Sequence, residues 1–401
     1  MRGPATCWRS GGYSLCQTRS IVNLAFFDVI NWDYDAGTPY ERPLGGSQSA
    51  LSYLAAALGA RGHAVTMFSS TTRPRTFQGV KCQSNLPLNP AQFAAFDALI
   101  VLNGPADICL ALRPHLPAGC RLILWTQCSF DQPAMFPLKR PEVRKEWDTI
   151  VCVSQWHAAA MQREYGLDPH RIAVIRNAIA PAFVNLYADA AELARAKTAQ
   201  AVLTYTSTPF RGLDVLLSVF PDVHRHDPRA SLHVYSSLKV YGQDEDGDPY
   251  VRLYATCRSS QGVEYHGSLV QSDLAAALKP AMILAYPNTF AETSCIAVME
   301  AMAAGLLVVT SDLGALPETT MEMGVLVPGP RHPGDLEVFA RNYRDRLVAT
   351  MQEIARHPQQ HWSARWEQVQ AMTTRFTWPV RAAEWEQLLG TCKCHRPCAA
   401  T

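Results

Sequence analysis

MILAYPNTFAETSCIAVMEAMAAGLLVVT, from Met282 to Thr310, decides how the chain is read. An apolar run of strand length (MILAYP) is followed by a polar loop, a segment of helical spacing and a second apolar run (LLVVT). Near-continuous apolar strands joined by a helix are the unit of a parallel sheet covered on both faces. Glu292-Thr293-Ser294 supplies N-cap material, so a helix is expected from Ser294 to Ala304. Two carboxylates break the pattern, Glu292 just before that helix and Glu300 almost two turns into it, with seven residues between them. A lone carboxylate flanked by Val298, Met299, Ala301 and Met302 is costly unless hydrogen-bonded. Glu300 stands six residues past Ser294, too far for a capping box, which needs three. From spacing alone, two readings stay open. The pair is either two buried glutamates satisfied by backbone or by an arginine, or two groups that accept sugar hydroxyls, since a carboxylate takes two such donors at once. The free N–H groups at Cys295 and Ile296, together with the helix dipole, would suit a phosphate.

The same alternation extends in both directions. IVNLAFF (21–27), AVTMFS, ALIVLN, RLILWT, TIVCVS and IAVI (172–175) read as strands of an N-terminal half. Between the first two, Leu51, Leu54 and Leu58 share one helical face and Gly62 is a stop. A further helix is expected from about Gln155 to Tyr165. The pattern restarts after Pro181 with AVLTYT, SLHVYS, GVEYHG, MILAYP and LLVVT as strands and LDVLLSVF as a helix. This describes two doubly wound α/β domains facing a cleft, 21–180 and 200–330, joined by a linker near 178–200. Helices over 331–390 close the fold, Trp378, Trp385 and Leu389 being available for packing. Residues 1–20 read as a disordered leader without a secretory h-region, and 391–401 as a tail.

The composition agrees. The chain has 401 residues, 48% hydrophobic and 18% charged, enough for two cores. Its net charge of +1 gives no electrostatic reason to expect nucleic acid as a partner. No apolar run reaches the ~18 residues of a membrane span. Twelve cysteines without framework spacing point to a reducing cytoplasm. Cys392, Cys394, His395 and Cys398 offer soft metal ligands but lack a second pair at zinc-site spacing. In parallel sheets ligands sit beyond the carboxyl ends of the strands, so the cleft between the domains is the expected site.

At this point a resemblance adds to the reading. AETSCIAVMEAMAAGLLVVTSDLGALPE, down to Asp312, Gly314, Pro317 and Glu318, resembles the E-x7-E motif and its continuation in family 4 (group 1) retaining glycosyltransferases of the GT-B fold. Weaker similarity covers roughly 21–390. The resemblance implies that Glu292 holds donor-sugar hydroxyls, that Glu300 holds the nucleotide ribose, and that Ser294, Cys295 and Ile296 receive the diphosphate. PLGGSQSALSYLA resembles the family's glycine loop, where Gly45 and Gly46 let backbone approach a phosphate or acceptor before a helix start at Ser47. YTSTPFRGLDVLL places Arg211 where it would neutralise the leaving diphosphate. VIRNAI, around Asn177, is similar to the interdomain crossover.

Two positions depart from the family. A second basic residue expected five before Arg211 is Thr206, and a histidine expected after the fourth N-terminal strand is Cys128, with Gln127, Ser129 and Asp131 beside it. Cys128 and Asp131 are the acceptor-side candidates. Asp131 reads equally as a base or as a loop cap, and Cys128 lacks a companion base. The implied activity is retaining transfer of a sugar from a nucleotide diphosphate-sugar to a hydroxyl acceptor, such as a glycan, a lipid-linked sugar or a small molecule. The resemblance also implies that no metal or other cofactor is required. A nucleotide-sugar epimerase and a non-catalytic nucleotide-sugar-binding subunit are the alternatives. The D-x-D within 244–248 reads as a solvated acidic loop. The basic cluster Lys139–Trp147 offers peripheral contact with a membrane or lipid-linked acceptor at its cytoplasmic face.

Overall fold

A computed structural model describes residues 22–390 apart from 88, 198–200 and 244–246. The leader, the Cys392–Cys398 tail and most of the D-x-D loop lie outside the described residues. The N-terminal strands are β1 (Asn23–Asp28), β2 (Ala64–Ser69), β3 (Arg75–Phe77), β4 (Val80–Ser84), β5 (Ala98–Leu102), β6 (Arg121–Trp125), β7 (Thr149–Cys152) and β8 (Ile172–Val174). They form one sheet in the order β3-β4-β2-β1-β5-β6-β7-β8, parallel except for β3 against β4. The C-terminal strands are β9 (Val202–Tyr205), β10 (Ser231–Val234), β11 (Val263–Tyr265), β12 (Ile283–Tyr286), β13 (Leu307–Ser311) and β14 (Val325–Val327), in the order β11-β10-β9-β12-β13-β14. This is a GT-B architecture of two parallel sheets in two domains with C-terminal helices.

Alternation along the central strands shows why they are apolar throughout. Leu24, Phe26, Ile100, Ile123 and Val151 enter one buried cluster, while Ala25, Phe27, Leu99, Val101, Leu122 and Leu124 enter another across the sheet. With both faces covered, every position of β5, β12 and β13 is buried. β3, β4 and β14 were not expected from the sequence. β3 and β14 are three residues long and lie at sheet edges, and β3 and β4 carry mixed polarity. The Gly46–Ala60 helix buries Leu51, Leu54 and Leu58 and stops before Gly62, whose φ is +94°.

The closing helices divide between the domains. Leu336–Arg356 and Pro358–Arg375 pack on the C-terminal domain, where Tyr343 donates to the Val309 carbonyl at 2.8 Å and Gln368 to those of Met302 and Leu306 at 2.9 Å. The last helix, Trp378–Gly390, crosses back to the N-terminal domain. Trp385 meets Trp125 edge-on at 5.6 Å, and Glu386 pairs with Arg61 at 2.6 Å and His63 at 3.0 Å. The helices of 331–390 thus pack on both domains. His63 is buried and paired, which gives it a structural role.

Strand order reverses between β1 and β5 in one sheet and between β9 and β12 in the other, which opens a crevice beyond the strand ends at each point. The loops after β9 and β12 carry Arg211 and Glu292. Glu318 joins the domains from the opposite side. Its carboxylate accepts from the N–H groups of Gln155 (2.9 Å) and Trp156 (3.2 Å) at the start of the Gln155–Tyr165 helix, and from Arg176 at 2.7 Å.

Candidate active site

Arg211 and Glu292 come together because two loops touch backbone to backbone. Gly212 has φ +101°, and a Cβ there would stand 2.0 Å from the Pro287 carbonyl oxygen. Gly314, at φ +62°, lies so close under Glu292 that a Cβ would stand 2.3 Å from the Glu292 carbonyl oxygen. That oxygen accepts from Ala315 N–H at 2.7 Å. The Glu292 backbone is thus pinned, and its side chain is buried. Tyr286, the last residue of β12, donates to Glu292 Oε1 at 2.6 Å, and Arg211 pairs with the same oxygen. Among the described residues, Oε2 takes no hydrogen bond. Burial is the largest influence and opposes the Arg211 charge, but Glu292 together with Tyr286, Tyr241 and Cys295 holds the guanidinium above its ordinary value. The Phe290 ring lies 4.4 Å from the cation.

The helix after Glu292 runs Ile296–Ala303, with Cys295 as an N-cap that makes no side-chain bond. It starts two residues later than Thr293-Ser294 suggested, so the N–H groups free of intrahelical partners begin at Ile296. Cys295 is in an extended conformation (φ −82°, ψ 100°), and Ser294 lies before it. The Cys295 thiol is pushed up by burial and then by Glu292, so it is a neutral side chain. Thr293 crosses the cleft, its hydroxyl donating to the Gln127 carbonyl at 2.8 Å.

Glu300 is buried at the far end. Its Oε1 accepts from the Ala180 N–H at 3.1 Å, a bond from the interdomain crossover. Burial raises its pKa to about 8, although the Ala180 N–H and the Gln271 amide both pull it down. A carboxyl of this kind carries its proton at neutral pH until a ligand supplies donors to the ionised form.

The N-terminal domain contributes Gly45 and Gly46, the N-cap and first residue of the Gly46–Ala60 helix. That helix starts one residue before Ser47. A Cβ on Gly45 would stand 3.0 Å from the Tyr241 ring, and one on Gly46 3.5 Å from Ile296 Cδ1. Tyr241 also meets Trp32 at 5.9 Å, so the cleft is narrow on this side.

All eight donor-side candidates, Arg211, Glu292, Ser294, Cys295, Ile296, Glu300, Gly45 and Gly46, line one cavity of ≈ 230 Å³ between the domains. The acceptor-side pair does not. Asp131 is exposed on its loop, and neither it nor Cys128 lines the cavity. Burial pushes the Cys128 thiol up to about 11. The Cys128 carbonyl meets the Nε2 of His157 at 2.9 Å; burial lowers this imidazole to about 4, so it is neutral and structural. Gln127, one residue earlier, does reach the cavity, as do Gln48 and Thr206. The signal for Gln127 was its place just past the end of β6. Gln48 donates to Asp28 at 3.1 Å, and nothing in its sequence context marked it.

Six buried polar atoms of residues that line this cavity have no partner among the described residues: Thr206 Oγ1, Thr208 Oγ1, Ser236 Oγ, Ser294 Oγ, Gln127 Nε2 and Gln271 Oε1. Buried polar groups are nearly always hydrogen-bonded. Six orphans around one cavity therefore describe a space shaped for a polar ligand and its water, beside a guanidinium and a helix N-terminus.

Two family profiles match in tandem: Glycosyltransferase Family 4 over residues 44–183 and Glycosyl transferases group 1 over 200–345. The phosphatidyl-myo-inositol mannosyltransferase of Mycobacterium tuberculosis is 31% identical over 146 residues, 36% of this chain and 35% of that protein. The D-inositol 3-phosphate glycosyltransferase of Corynebacterium glutamicum is 26% identical over 194 residues, 45% of this chain and 46% of that protein. The chain thus spans less than half the length of these curated relatives. Among solved structures, sucrose-phosphate synthase from Thermosynechococcus elongatus superposes with a TM-score of 0.68 at 17% identity, covering 93% of this chain and 100% of that one. Anabaena Alr3699/HepE in complex with UDP and glucose gives 0.62 at 15%, covering 92% and 100%. At such identities the superpositions speak for the fold alone. With one profile on each domain and the GT-B fold around the cavity, the chain belongs to the group 1, family 4 glycosyltransferases.

Proposed function

We propose that the protein transfers a sugar from a nucleoside-diphosphate sugar to a hydroxyl acceptor with retention at the anomeric carbon. The observation that carries this reading is the single cavity in which Arg211, Glu292, the Ile296 helix start and six orphaned polar atoms meet. In this reading the bond from the anomeric carbon to the diphosphate oxygen breaks, and the acceptor oxygen bonds to the same face. The acceptor's proton leaves on the departing diphosphate, so no enzyme nucleophile is needed. Arg211 and the helix N-terminus stabilise the charge that develops on that diphosphate. Glu292 Oε2 orients sugar hydroxyls, and Glu300 accepts from the ribose. The C-terminal domain holds the donor, the N-terminal domain receives the acceptor, and closure between them limits hydrolysis.

The HepE complexes contain UDP and UDP-glucose, which supports a uridine donor as the first to try. Both mycobacterial and corynebacterial relatives have inositol in their names, which favours a polyol acceptor. Among the described residues no helix is long and apolar enough to cross a membrane. In the basic cluster, Lys139, Arg140 and Arg144 bind Glu164, Asp107 and backbone carbonyls, which weakens the case for a lipid surface there. Thr206 in place of a second base keeps the epimerase and the silent binding subunit as alternatives. Incubation with nucleotide sugars, with and without polyol acceptors, separates them. Acceptor-dependent release of nucleoside diphosphate supports transfer, epimerised donor supports the epimerase, and binding without turnover supports the silent subunit.

A further inference from the structure

The C-terminal sheet ends at β11, and Glu264 within it and His266 just past its end stand two residues apart and so share one face. The parallel register sets His233 of β10 opposite Glu264, and the His266 N–H continues the ladder to the Val234 carbonyl at 2.9 Å. Three ligand-bearing side chains thus meet on one patch. His233 Nδ1 lies 3.0 Å from His266 Nε2, and Glu264 Oε2 lies 3.6 Å and 3.8 Å from the same two atoms. A point equidistant from the three atoms would be about 2.0 Å from each, the length of zinc–nitrogen and zinc–oxygen bonds. Tyr235 stacks on the His266 ring at 4.7 Å and fixes its orientation. The fold therefore positions these atoms at coordination distance without rearranging the backbone.

We propose that His233, Glu264 and His266 bind one divalent transition-metal ion of the zinc class, with a fourth position open to water. Two imidazoles and one carboxylate favour such an ion over magnesium or calcium, which prefer oxygen alone. The site lies outside the cavity and takes no part in the transfer step, so it leaves the metal-independent reading of that step untouched. It is nevertheless coupled to the cavity wall. Tyr235 and Ser236 follow β10, Ser268 and Leu269 follow β11, and all four line the cavity. A bound ion ties the two strands together just upstream of that wall, and stabilises the fold because it binds only the folded site.

The test uses the full chain, stripped with a chelator and titrated with Co²⁺ and then Zn²⁺. Expected are one Co²⁺ per chain with visible d–d absorption, no thiolate-to-cobalt charge transfer, and displacement by Zn²⁺. His266→Ala should weaken binding by more than about tenfold and abolish the rise in Tm that Zn²⁺ gives the unaltered chain. Glu264→Gln, on an exposed residue that packing does not need, should weaken it as well. The proposal fails if both variants bind as tightly as the parent, or if charge transfer places the ion on thiolates such as Cys392, Cys394 and Cys398.

Discussion

Two of the helices that begin where the domains meet differ at their N-termini, and the protein fills one and leaves the other open. At Gln155–Tyr165 the Glu318 carboxylate takes the first two N–H groups and the Ser154 hydroxyl takes the third at 3.0 Å. At Ile296–Ala303 no side chain caps the helix, and the nearest hydroxyl, Ser294 Oγ, has no partner. Both ends offer the same partial positive charge. One is spent on holding the domains together, and the other faces a cavity beside Arg211. The filled end serves as a fastener and the open end as a receptor, and four measurements would break or sharpen that contrast.

The largest effect is expected at the open end. Arg211→Gln removes its guanidinium, and kcat should fall roughly 10²–10³-fold while the protein stays folded by circular dichroism. Unchanged turnover would separate Arg211 from the chemistry. At the filled end, Glu318→Ala should act on stability first. It removes charge-assisted bonds worth about 1.5–3 kcal/mol, read as a lower urea midpoint, with less than about tenfold change in turnover. A large loss of turnover at full stability would overturn the division of labour between the two ends. Gly314→Ala forces a side chain against the Glu292 backbone at positive φ, so a cost of about 1–3 kcal/mol should come with a rise in donor KM.

The subtlest effect concerns pH. Glu300 titrates at about 8 in the folded chain against an ordinary 4.5, so between those values the folded state binds the extra proton. Stability should therefore fall as pH rises from about 4.5 to about 8, and Glu300→Gln should flatten that slope. If a ribose takes up the ionised carboxylate, binding of a nucleoside diphosphate at pH 7 should release a proton. Calorimetry in buffers of different ionisation enthalpy would detect it, and zero release would argue that Glu300 stays protonated in the complex.

Much of this was legible in the sequence because parallel strands buried on both faces write themselves as apolar runs. β5 and β12 are examples, and the strand-end rule then located the cavity. The short edge strands β3 and β14 left no such signal. The glutamate spacing marked the strand-to-helix corner, but it could not show that Arg211 and Glu292 pair, because 81 positions separate them in the chain. Cys128 drew attention as the place of a missing histidine. Its neighbour Gln127 reaches the cavity instead, since the backbone rather than the side chain at 128 is what His157 holds. Glu318 was visible as part of a motif, yet its role as a cap on another domain's helix depends on a tertiary contact across 163 positions.

The return of the last helix to the first domain sets an order of events during synthesis. Arg61 is translated 325 positions before its partner Glu386. At about 5–20 residues per second, roughly 15–65 s pass before that pair can form. Until then the N-terminal sheet exposes the surface of Trp125 that Trp385 later covers. The C-terminal domain, whose strands and packing helices Leu336–Arg356 and Pro358–Arg375 all precede Trp378, can close first. A chain that stops short of Trp378 would lack the helix that covers Trp125 and pairs with Arg61.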